Sequence, residues 1–162
     1  MPARSKRYRG SLAPAAYYAR ARAIEDCCLD RPPYARETID LAPDRAGIFE
    51  NLGLGYEAQG DRPRAIAAFR RMAAMREQRA EAEALLAYAY VQARQPAEAR
   101  RALAIALADR RDVSSVTLAA ALDAVGNRSA AIRLLRKLPP VLLAQITLDP
   151  RLENLRRYFY ST

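Results

Sequence analysis

The sequence predicts an all-α fold: a right-handed α-solenoid of about three helical hairpins with helical caps at both ends. Two observations support this fold class. Alanine is abundant, β-branched residues are few and only 6 of the 162 residues are glycine, which favours helix over sheet. Apolar and small residues also recur 34 positions apart, which is typical of stacked helical hairpins. The length corresponds to roughly one domain with a core of its own.

The N-terminal part predicts a tail followed by a degenerate hairpin. Residues 1–12 are basic, and we interpret them as a tail. Residues 14–29 and 34–42 predict two helices, which Arg31-Pro32-Pro33 separates because proline interrupts helical hydrogen bonding. We therefore predict a degenerate N-terminal repeat or cap over residues 13–45.

Three hairpins are predicted over residues 46–138, namely 46–79, 80–111 and 112–138. When the first is laid over the second, similar residues lie 34 positions apart: Leu52 and Leu86, Gly53 and Ala87, Tyr56 and Tyr90, Ala65 and Ala99, Phe69 and Leu103, Met72 and Ala106. The third copy is two residues short, and the loop near 110–112 absorbs the difference at little cost. Small residues let paired helices approach closely, and large residues fill the layers between them.

Helix start and stop signals fall at the boundaries of these hairpins. The start signals are Asp61 with Pro63 in the first turn, Pro96, Asn127, and Asp149-Pro150. Gly60 and Gly126 supply the turns of the first and third copies, whereas the second copy has no glycine there. Pro139-Pro140 ends the third hairpin. Residues 139–162 then predict capping helices over its open apolar end.

The first copy resembles a known repeat family. Phe49-x2-Leu52-Gly53-x2-Tyr56 followed by Ala65-x3-Phe69 is similar to the tetratricopeptide repeat signature, with Phe in place of the first Trp. The second and third copies are degenerate forms of it. Residues 114–156, which include Asp149-Pro150-Arg151, resemble the terminal repeat of tetratricopeptide modules in bacterial transcriptional regulators and signalling proteins.

The resemblance implies a non-enzymatic scaffold, adaptor or chaperone-like subunit that binds a peptide or helix in a concave groove. The groove residues carried over from the family are Glu50, Asn51, Leu54, Glu57, Tyr88, Val91, Gln92, Val116, Thr117 and Asp123. Tyr88 is the best anchor, since aromatic side chains on rigid helices are favoured in interfaces; the alternative is that it packs under the C-terminal helices. The layout also resembles bacterial secretion chaperones that bind effector or translocator segments.

Two groove positions argue against one branch of this family. Chaperone-binding members hold a C-terminal carboxylate with lysine, arginine and asparagine at groove positions. Here Glu50 and Leu54 stand at two of those positions. We therefore expect no function as an Hsp70 or Hsp90 cochaperone.

Charge suggests a second function. The chain has 27 basic and 18 acidic residues and a net charge of +9. The predicted basic face comprises Arg62, Arg64, Arg70, Arg71, Arg100, Arg101, Arg133, Arg136 and Lys137. Such a face suits an acidic protein, a nucleic acid or anionic lipid, so the alternative function is a nucleic-acid-associated or transcription-regulatory subunit. Equally, these arginines could form a solvated surface of a chain from a GC-rich genome.

Catalytic chemistry finds little support in the sequence. The chain has no histidine, which excludes histidine metal ligands and histidine general bases. We interpret Gly53-x-Gly55 as helix packing rather than a phosphate loop, and we expect Glu81 and Glu83 at the surface. The sequence therefore predicts no enzyme, no cofactor and no metal site.

The cysteines, the apolar runs and the basic N-terminus indicate where the protein is located. The only cysteines are the neighbours Cys27 and Cys28, whose adjacency disfavours a disulfide and suits a reducing compartment. No apolar run reaches the ~18 residues of a membrane span, and no signal-peptide core follows the basic start. We predict a cytoplasmic protein. The alternative is organelle import, because the first 24 residues contain arginine and serine but no acid. A degenerate repeat with an exposed apolar edge could also form a homodimer.

Overall fold

The computed structural model describes residues 45–146 and 149–160, which form eight α-helices and three short 3-10 helices and contain no strand. The predicted all-α class is therefore confirmed for this part of the chain. The α-helices are α1 (Arg45–Ala58), α2 (Arg62–Ala73), α3 (Arg79–Gln92), α4 (Pro96–Ala108), α5 (Ser115–Ala124), α6 (Arg128–Leu135), α7 (Pro140–Ile146) and α8 (Glu153–Tyr160). The 3-10 helices are Arg76–Gln78, Arg110–Asp112 and Pro150–Leu152.

The first six helices form three hairpins. α1 packs against α2, α3 against α4, and α5 against α6, and each pair is joined by a loop of three residues. Such short connections between packed helices make the two helices of a pair antiparallel. The connections between hairpins are longer, and each contains a 3-10 helix.

The three hairpin turns have the same hydrogen bonds. In each, a backbone N–H after the turn donates to a carbonyl five residues earlier: Asp61 N to Tyr56 O (2.9 Å), Gln95 N to Tyr90 O (2.8 Å) and Asn127 N to Leu122 O (2.8 Å). This pattern requires a residue with positive φ, and Gly60 (75°) and Gly126 (92°) supply it as glycine usually does. In the second turn Arg94 adopts a φ of 59°, although an L side chain disfavours that conformation.

Three of the predicted helix starts are confirmed, and Asp149-Pro150 begins the 3-10 helix that precedes α8. Asp61 caps α2 by accepting a hydrogen bond from Arg64 N at 3.2 Å, and Asn127 caps α6 by accepting one from Ala130 N at 3.4 Å. Pro96 is the first residue of α4, where its missing N–H costs no helical hydrogen bond.

Among the described helices, α3 lies between the first and third hairpins. Nine of its 14 residues are buried, and it packs against α2, α4 and α5. The junctions with its two neighbouring hairpins nevertheless differ. At the junction with the first hairpin, α2 packs against α3, and α1 has little contact with α3. At the junction with the third hairpin, α3 packs against α5, and α4 has little contact with α5.

Small and large residues complement each other within the first hairpin. A Cβ atom on Gly53 would collide with the ring of Phe69, a side chain that is fully buried. The residues 34 positions later are Ala87 and Leu103, which are also buried. The larger side chain of the first hairpin is thus matched by the absence of a side chain on the facing helix.

The C-terminal segment (residues 149–160) folds back onto the third hairpin. Its 3-10 helix contacts α5, and α8 contacts α6. Leu152 and Leu155 are fully buried. In α7, Val141 is 75% exposed and Leu142 41%, whereas Leu143 is partly buried against the core.

Several predictions lie outside the described residues. These are the tail at 1–12, the two helices predicted within 13–45, the Cys27–Cys28 pair and the extreme C-terminal residues 161–162. Among the described helices, none combines the length and apolar character that a membrane crossing requires.

Candidate functional site

A cleft of about 380 Å³ opens between α3, the end of α5 and the C-terminal segment. We call it the binding cleft. Its lining residues are Tyr88, Val91, Gln92, Asp123, Ala124, Arg128, Pro150, Arg151, Glu153 and Asn154. The cleft brings together four of the predicted groove residues: Tyr88, Val91, Gln92 and Asp123. The other six line another part of the molecule or are buried.

One side of the binding cleft is a face of α3. Tyr88, Val91 and Gln92 are three and four positions apart, so they lie on one face of the helix. Tyr88 and Val91 are half-buried, and Gln92 is exposed. Burial, together with the nearby Glu57 carboxyl, raises the pKa of the Tyr88 hydroxyl above its usual value. That hydroxyl therefore stays protonated at neutral pH and remains a hydrogen-bond donor.

The opposite side is fixed by an ion pair. Asp123 at the end of α5 is buried, and Arg128 at the start of α6 donates from Nε to its Oδ1 at 2.7 Å. This hydrogen bond and a contact with the Tyr158 hydroxyl raise the pKa of Arg128. The bond spans the turn between α5 and α6, so both charged side chains are positioned and their charges largely offset each other.

The third side belongs to the C-terminal segment, which is organised around Asp149. Arg151 donates to its carboxylate from Nε (3.1 Å) and Nη2 (2.8 Å), and Arg156 Nη2 donates to its carbonyl oxygen at 3.3 Å. Asp149 Oδ1 also accepts from Arg151 N at 2.9 Å. Burial alone would raise the pKa of Asp149, but the bonds from Arg151 outweigh it and bring that pKa below its usual range. The paired, two-point geometry fixes the Arg151 guanidinium at the cleft wall.

Glu57, a predicted groove residue at the end of α1, lies behind this wall. It is mostly buried, and burial raises the pKa of its carboxyl to about 7, although the nearby positive charge of Arg151 partly offsets this. Its Oε1 and the Nη1 of Arg151 are both buried, and neither has a hydrogen-bond partner among the described residues. Glu57 and Arg151 therefore attract each other electrostatically without being directly paired.

The structure corrects the expectation that Glu81 lies at the surface. Glu81 is only 8% exposed and joins α3 to the start of α5. Its Oε2 accepts from Ser114 N at 2.6 Å, and its Oε1 accepts from the hydroxyl of Thr117 at 2.7 Å. Thr117, which the family resemblance assigned to the groove, is buried and holds α5 against α3 through this bond.

The remaining predicted groove residues lie away from the binding cleft. Glu50, Asn51 and Leu54 are partly exposed on α1, and Val116 is partly exposed on α5. None of them lines the cleft. Of the predicted groove residues on α1, Glu57 lies near Tyr88 and Arg151, whereas Glu50, Asn51 and Leu54 do not line the cleft.

All nine residues of the predicted basic face are exposed: Arg62, Arg64, Arg70, Arg71, Arg100, Arg101, Arg133, Arg136 and Lys137. Three of these arginines also lie over aromatic rings of α1 or α3. Arg64 lies over Tyr56 and Arg70 over Tyr90, each 5.7 Å from the ring centroid, and Arg71 lies over Phe49 at 5.8 Å. Within the residues described, Arg64 is the member of this set with an ion-pair partner, Asp61.

Sequence reasoning did not assign Arg128, Arg151, Glu153 and Asn154 to a binding site. The Asp149-Pro150-Arg151 run was visible in the sequence and predicted a capping helix, but no spacing rule places a distant terminal segment against α3. In the parts of the chain described by the structure, no group of three or more acidic or cysteine side chains could hold a metal ion.

The chain matches no protein-family model, no curated protein and no solved structure.

Proposed function

We propose that the protein is a non-enzymatic protein-interaction module, acting as a scaffold, adaptor or chaperone-like subunit. In this proposal its three hairpins form a tetratricopeptide-type solenoid, and the binding cleft receives a peptide or helical segment of a partner protein. Three turns with the same hydrogen bonds, spaced by 34 and 32 residues, support the repeat. The observation that carries the function is the cleft itself, where Tyr88 stands beside uncharged amide side chains.

The lining suits a peptide main chain. The hydroxyl of Tyr88 and the exposed amides of Gln92 and Asn154 offer both donors and acceptors without charge. A peptide presents one donor and one acceptor per residue, so such groups can satisfy it. Val91 and Pro150 add apolar surface beside them. A cleft of about 380 Å³ accommodates a few residues of such a segment.

Selection from a displayed peptide library against the full chain tests this proposal. Peptides enriched on the protein are titrated against the wild-type chain and against Tyr88→Ala, which removes the aromatic anchor. We expect Tyr88→Ala to weaken binding at least about tenfold, as loss of an interface hot spot does.

Two glutamines provide a matched pair for the same titration. Gln92 lines the cleft, whereas Gln95, which is also exposed, lies in the loop between α3 and α4 and does not line it. We expect Gln92→Arg to weaken peptide binding and Gln95→Arg to leave it unchanged. Peptides whose affinity is unaffected by Tyr88→Ala and Gln92→Arg would contradict the assignment of this cleft. A library from which nothing is enriched would contradict the module function.

A second candidate function rests on the basic face. Its nine side chains are all exposed, and eight of them have no ion-pair partner among the described residues, which leaves their charge available to an anionic partner. In this candidate the protein is a nucleic-acid-associated or transcription-regulatory subunit. Titration with duplex DNA and RNA at several salt concentrations tests it. Binding through this face weakens steeply as the salt concentration rises. We expect the double variant Arg100→Ala and Arg101→Ala to reduce the slope of log K against log salt concentration by about one for each phosphate contact that is lost. Absence of binding at low salt would contradict it.

A further inference from the structure

The two ends of the stacked hairpins differ in charge. One end carries the turns within hairpins, at Gly60, Arg94 and Gly126, and the other carries the connections between hairpins. The starts of α3 and α5 meet at the connection end, where Glu81 accepts a hydrogen bond from Ser114 N at 2.6 Å. Because the helices of each pair are antiparallel, α2, α4 and α6 end there too.

Seven basic side chains lie at this connection end, and we call them the basic edge. All of them are exposed, and none has an ion-pair partner among the described residues. Arg79 is not counted with them, because it pairs with Glu83 at 4.0 Å. Three exposed acidic residues stand in the same stretches, namely Glu77, Asp109 and Asp112. The basic edge comprises Arg70, Arg71, Arg76, Arg110, Arg111, Arg136 and Lys137.

The fold itself does not need so much positive charge at this end. At the turn end, charges are paired: Arg64 Nη1 lies 3.5 Å from Asp61 Oδ2, and Arg128 Nε lies 2.7 Å from Asp123 Oδ1. At the connection end, the C-terminus of each helix carries about half a negative charge, so three of them offset fewer than two of the seven cations. Most of the charge of the basic edge is therefore left for a partner.

The layout of the basic edge suits a partner whose negative charge is continuous. Its members stand at the ends of α2 and α6 and in both connecting 3-10 helices, so they spread over four neighbouring helices, α2, α3, α5 and α6. At about 8–10 Å for each step between packed helices, the set extends over on the order of 25 Å. Double-stranded DNA carries about one negative charge per 1.7 Å of its axis, so it presents phosphates along that whole length. Arginine also donates two parallel hydrogen bonds to phosphate oxygens.

The same stretches favour paired strands over single ones. Proteins that bind single strands use aromatic side chains on which the unpaired bases stack. Residues 74–79, 109–114 and 136–139 contain no Phe, Tyr or Trp. Bases in a duplex are already stacked, and its backbone needs only cations.

We propose that the basic edge binds double-stranded nucleic acid through its phosphates, without preference for base sequence. This inference deepens the second candidate function and rests on it, since it names the part of the charged surface that makes the contacts. Three members, Arg76, Arg110 and Arg111, lie outside the basic face defined above. Phosphate contacts carry no sequence information directly, so duplexes of unrelated sequence bind alike.

Titration of the full-length chain tests this proposal. The probes are two DNA duplexes of unrelated sequence, an RNA duplex and a single strand of equal length, each at several salt concentrations. We expect the two DNA duplexes to bind with similar affinity and the single strand to bind more weakly. The RNA arm shows whether the groove geometry of the duplex matters to the basic edge.

Two pairs of substitutions locate the contacts. We expect the double variant Arg110→Ala and Arg111→Ala to lower duplex affinity at least about tenfold at low salt and to reduce the salt slope by about two. The pair Arg136→Ala and Lys137→Ala, at the third hairpin, is expected to act similarly. Thermal unfolding followed by circular dichroism checks that both variants fold.

The matched control removes two arginines from the turn end. Arg62 and Arg64 are also exposed and carry the same charge, but they lie at the start of α2. We expect the double variant Arg62→Ala and Arg64→Ala to bind duplex as the wild type does. Residues 1–12 are basic as well, but they are identical in all variants, so the comparison measures the edge alone.

Several outcomes would overturn the proposal. Duplex affinity that survives both edge substitutions would do so, as would tighter binding of the single strand. Loss of binding in the Arg62 and Arg64 variant alone would also do so, but it would leave the second candidate function standing. No duplex binding at low salt would contradict both.

An anionic membrane is the competing partner. Leu107 in the last turn of α4 is exposed near Arg110 and Arg111, and a membrane surface gains affinity from inserted apolar side chains. Vesicles of phosphatidylcholine with phosphatidylserine are therefore titrated with the same variants. Binding to vesicles that depends on the edge, without binding to duplexes, would assign the basic edge to lipid and overturn the proposal.

Discussion

The two junctions of the central hairpin use different helices and different chemistry. At the first junction α2 packs on α3, and Arg70 Nε donates to the Tyr90 hydroxyl at 3.0 Å from an exposed position. At the second junction α3 packs beside α5, and the buried Glu81 carboxylate accepts two hydrogen bonds from the third hairpin. The hairpins themselves have matching turns, so a common hairpin does not impose a common way of stacking.

The difference follows from residues that the repeat does not share. The residue 34 positions before Glu81 is Gly47, which has no carboxyl group to offer. The residue 32 positions before Thr117, in the register of the third copy, is Leu85, which has no hydroxyl. The polar contact between α3 and α5 therefore cannot form between α1 and α3. Positions outside the repeat pattern decide how neighbouring hairpins meet.

Removal of the Glu81 carboxylate is the strongest test of this contrast. We expect Glu81→Ala to lower the free energy of unfolding by about 3 kcal/mol, because a backbone N–H and a buried hydroxyl both lose a charged acceptor. Tyr90→Phe at the first junction is the control. It removes one hydroxyl bonded to an exposed arginine, and we expect a loss of about 0.5–1 kcal/mol. Denaturant unfolding measures both, and equal losses would remove the contrast between the junctions.

Substitutions at Gly53 and Phe69 test the packing inside the first hairpin, next to the first junction. We expect Gly53→Ala to cost about 2–3 kcal/mol of unfolding free energy, because the added methyl collides with a fully buried ring. Phe69→Leu, which copies the residue at Leu103, should restore much of this loss in the double variant. A double-mutant cycle gives the coupling energy. Additive effects would show that the two residues do not constrain each other.

The buried carboxyl of Glu57, near the C-terminal segment, predicts that the stability of the fold depends on pH. Its pKa is about 7 in the folded chain, above the ordinary value of 4.5, so the folded state binds more protons than the unfolded state between these values. Glu57 therefore adds stability below about pH 4.5 that is lost as the pH rises through 7. We expect a fall on the order of 1–2 kcal/mol, less than the full pKa difference implies, because part of the side chain meets solvent.

The matched variant is Glu57→Gln, which keeps the shape of the side chain and cannot titrate. We expect the unfolding free energy of this variant to change much less between pH 5 and pH 8 than that of the wild type. At pH 8 we expect it to be higher than that of the wild type. Denaturant midpoints at several pH values check this. A wild type and a Glu57→Gln variant with parallel profiles would show that Glu57 does not titrate in this range.

The hairpin turns give the smallest effect. Arg94 occupies the positive-φ position that glycine fills in the other two turns, so we expect Arg94→Gly to raise the melting temperature and to stabilise the chain by about 1 kcal/mol. Gly60→Ala should destabilise by a similar amount. Nothing lies within 4 Å of the position that its new Cβ would occupy, so the cost is conformational. A neutral Arg94→Gly would mean that the Arg94 side chain compensates for its backbone conformation.

Local signals predicted the helices well and the binding cleft only in part. Asp61, Pro96 and Asn127 define helix starts through bonds to their immediate neighbours, so sequence spacing suffices to find them. Tyr88, Val91 and Gln92 share a helical face for the same local reason. The wall formed by Arg151 and Asn154 is different, because it depends on where a terminal segment packs after the hairpins have formed.

By itself the sequence determined the elements: helix over strand, the 34-residue interval, the turn positions and the caps. Each of these depends on contacts within about one hairpin, which residue spacing encodes. Only the tertiary structure decided that Glu81 is buried, that the two junctions differ and that the C-terminal segment lies against the predicted groove. Those outcomes depend on contacts between different hairpins, such as Arg70 with Tyr90 (20 positions apart) and Thr117 with Glu81 (36 positions apart), and no local pattern specifies which distant surfaces meet.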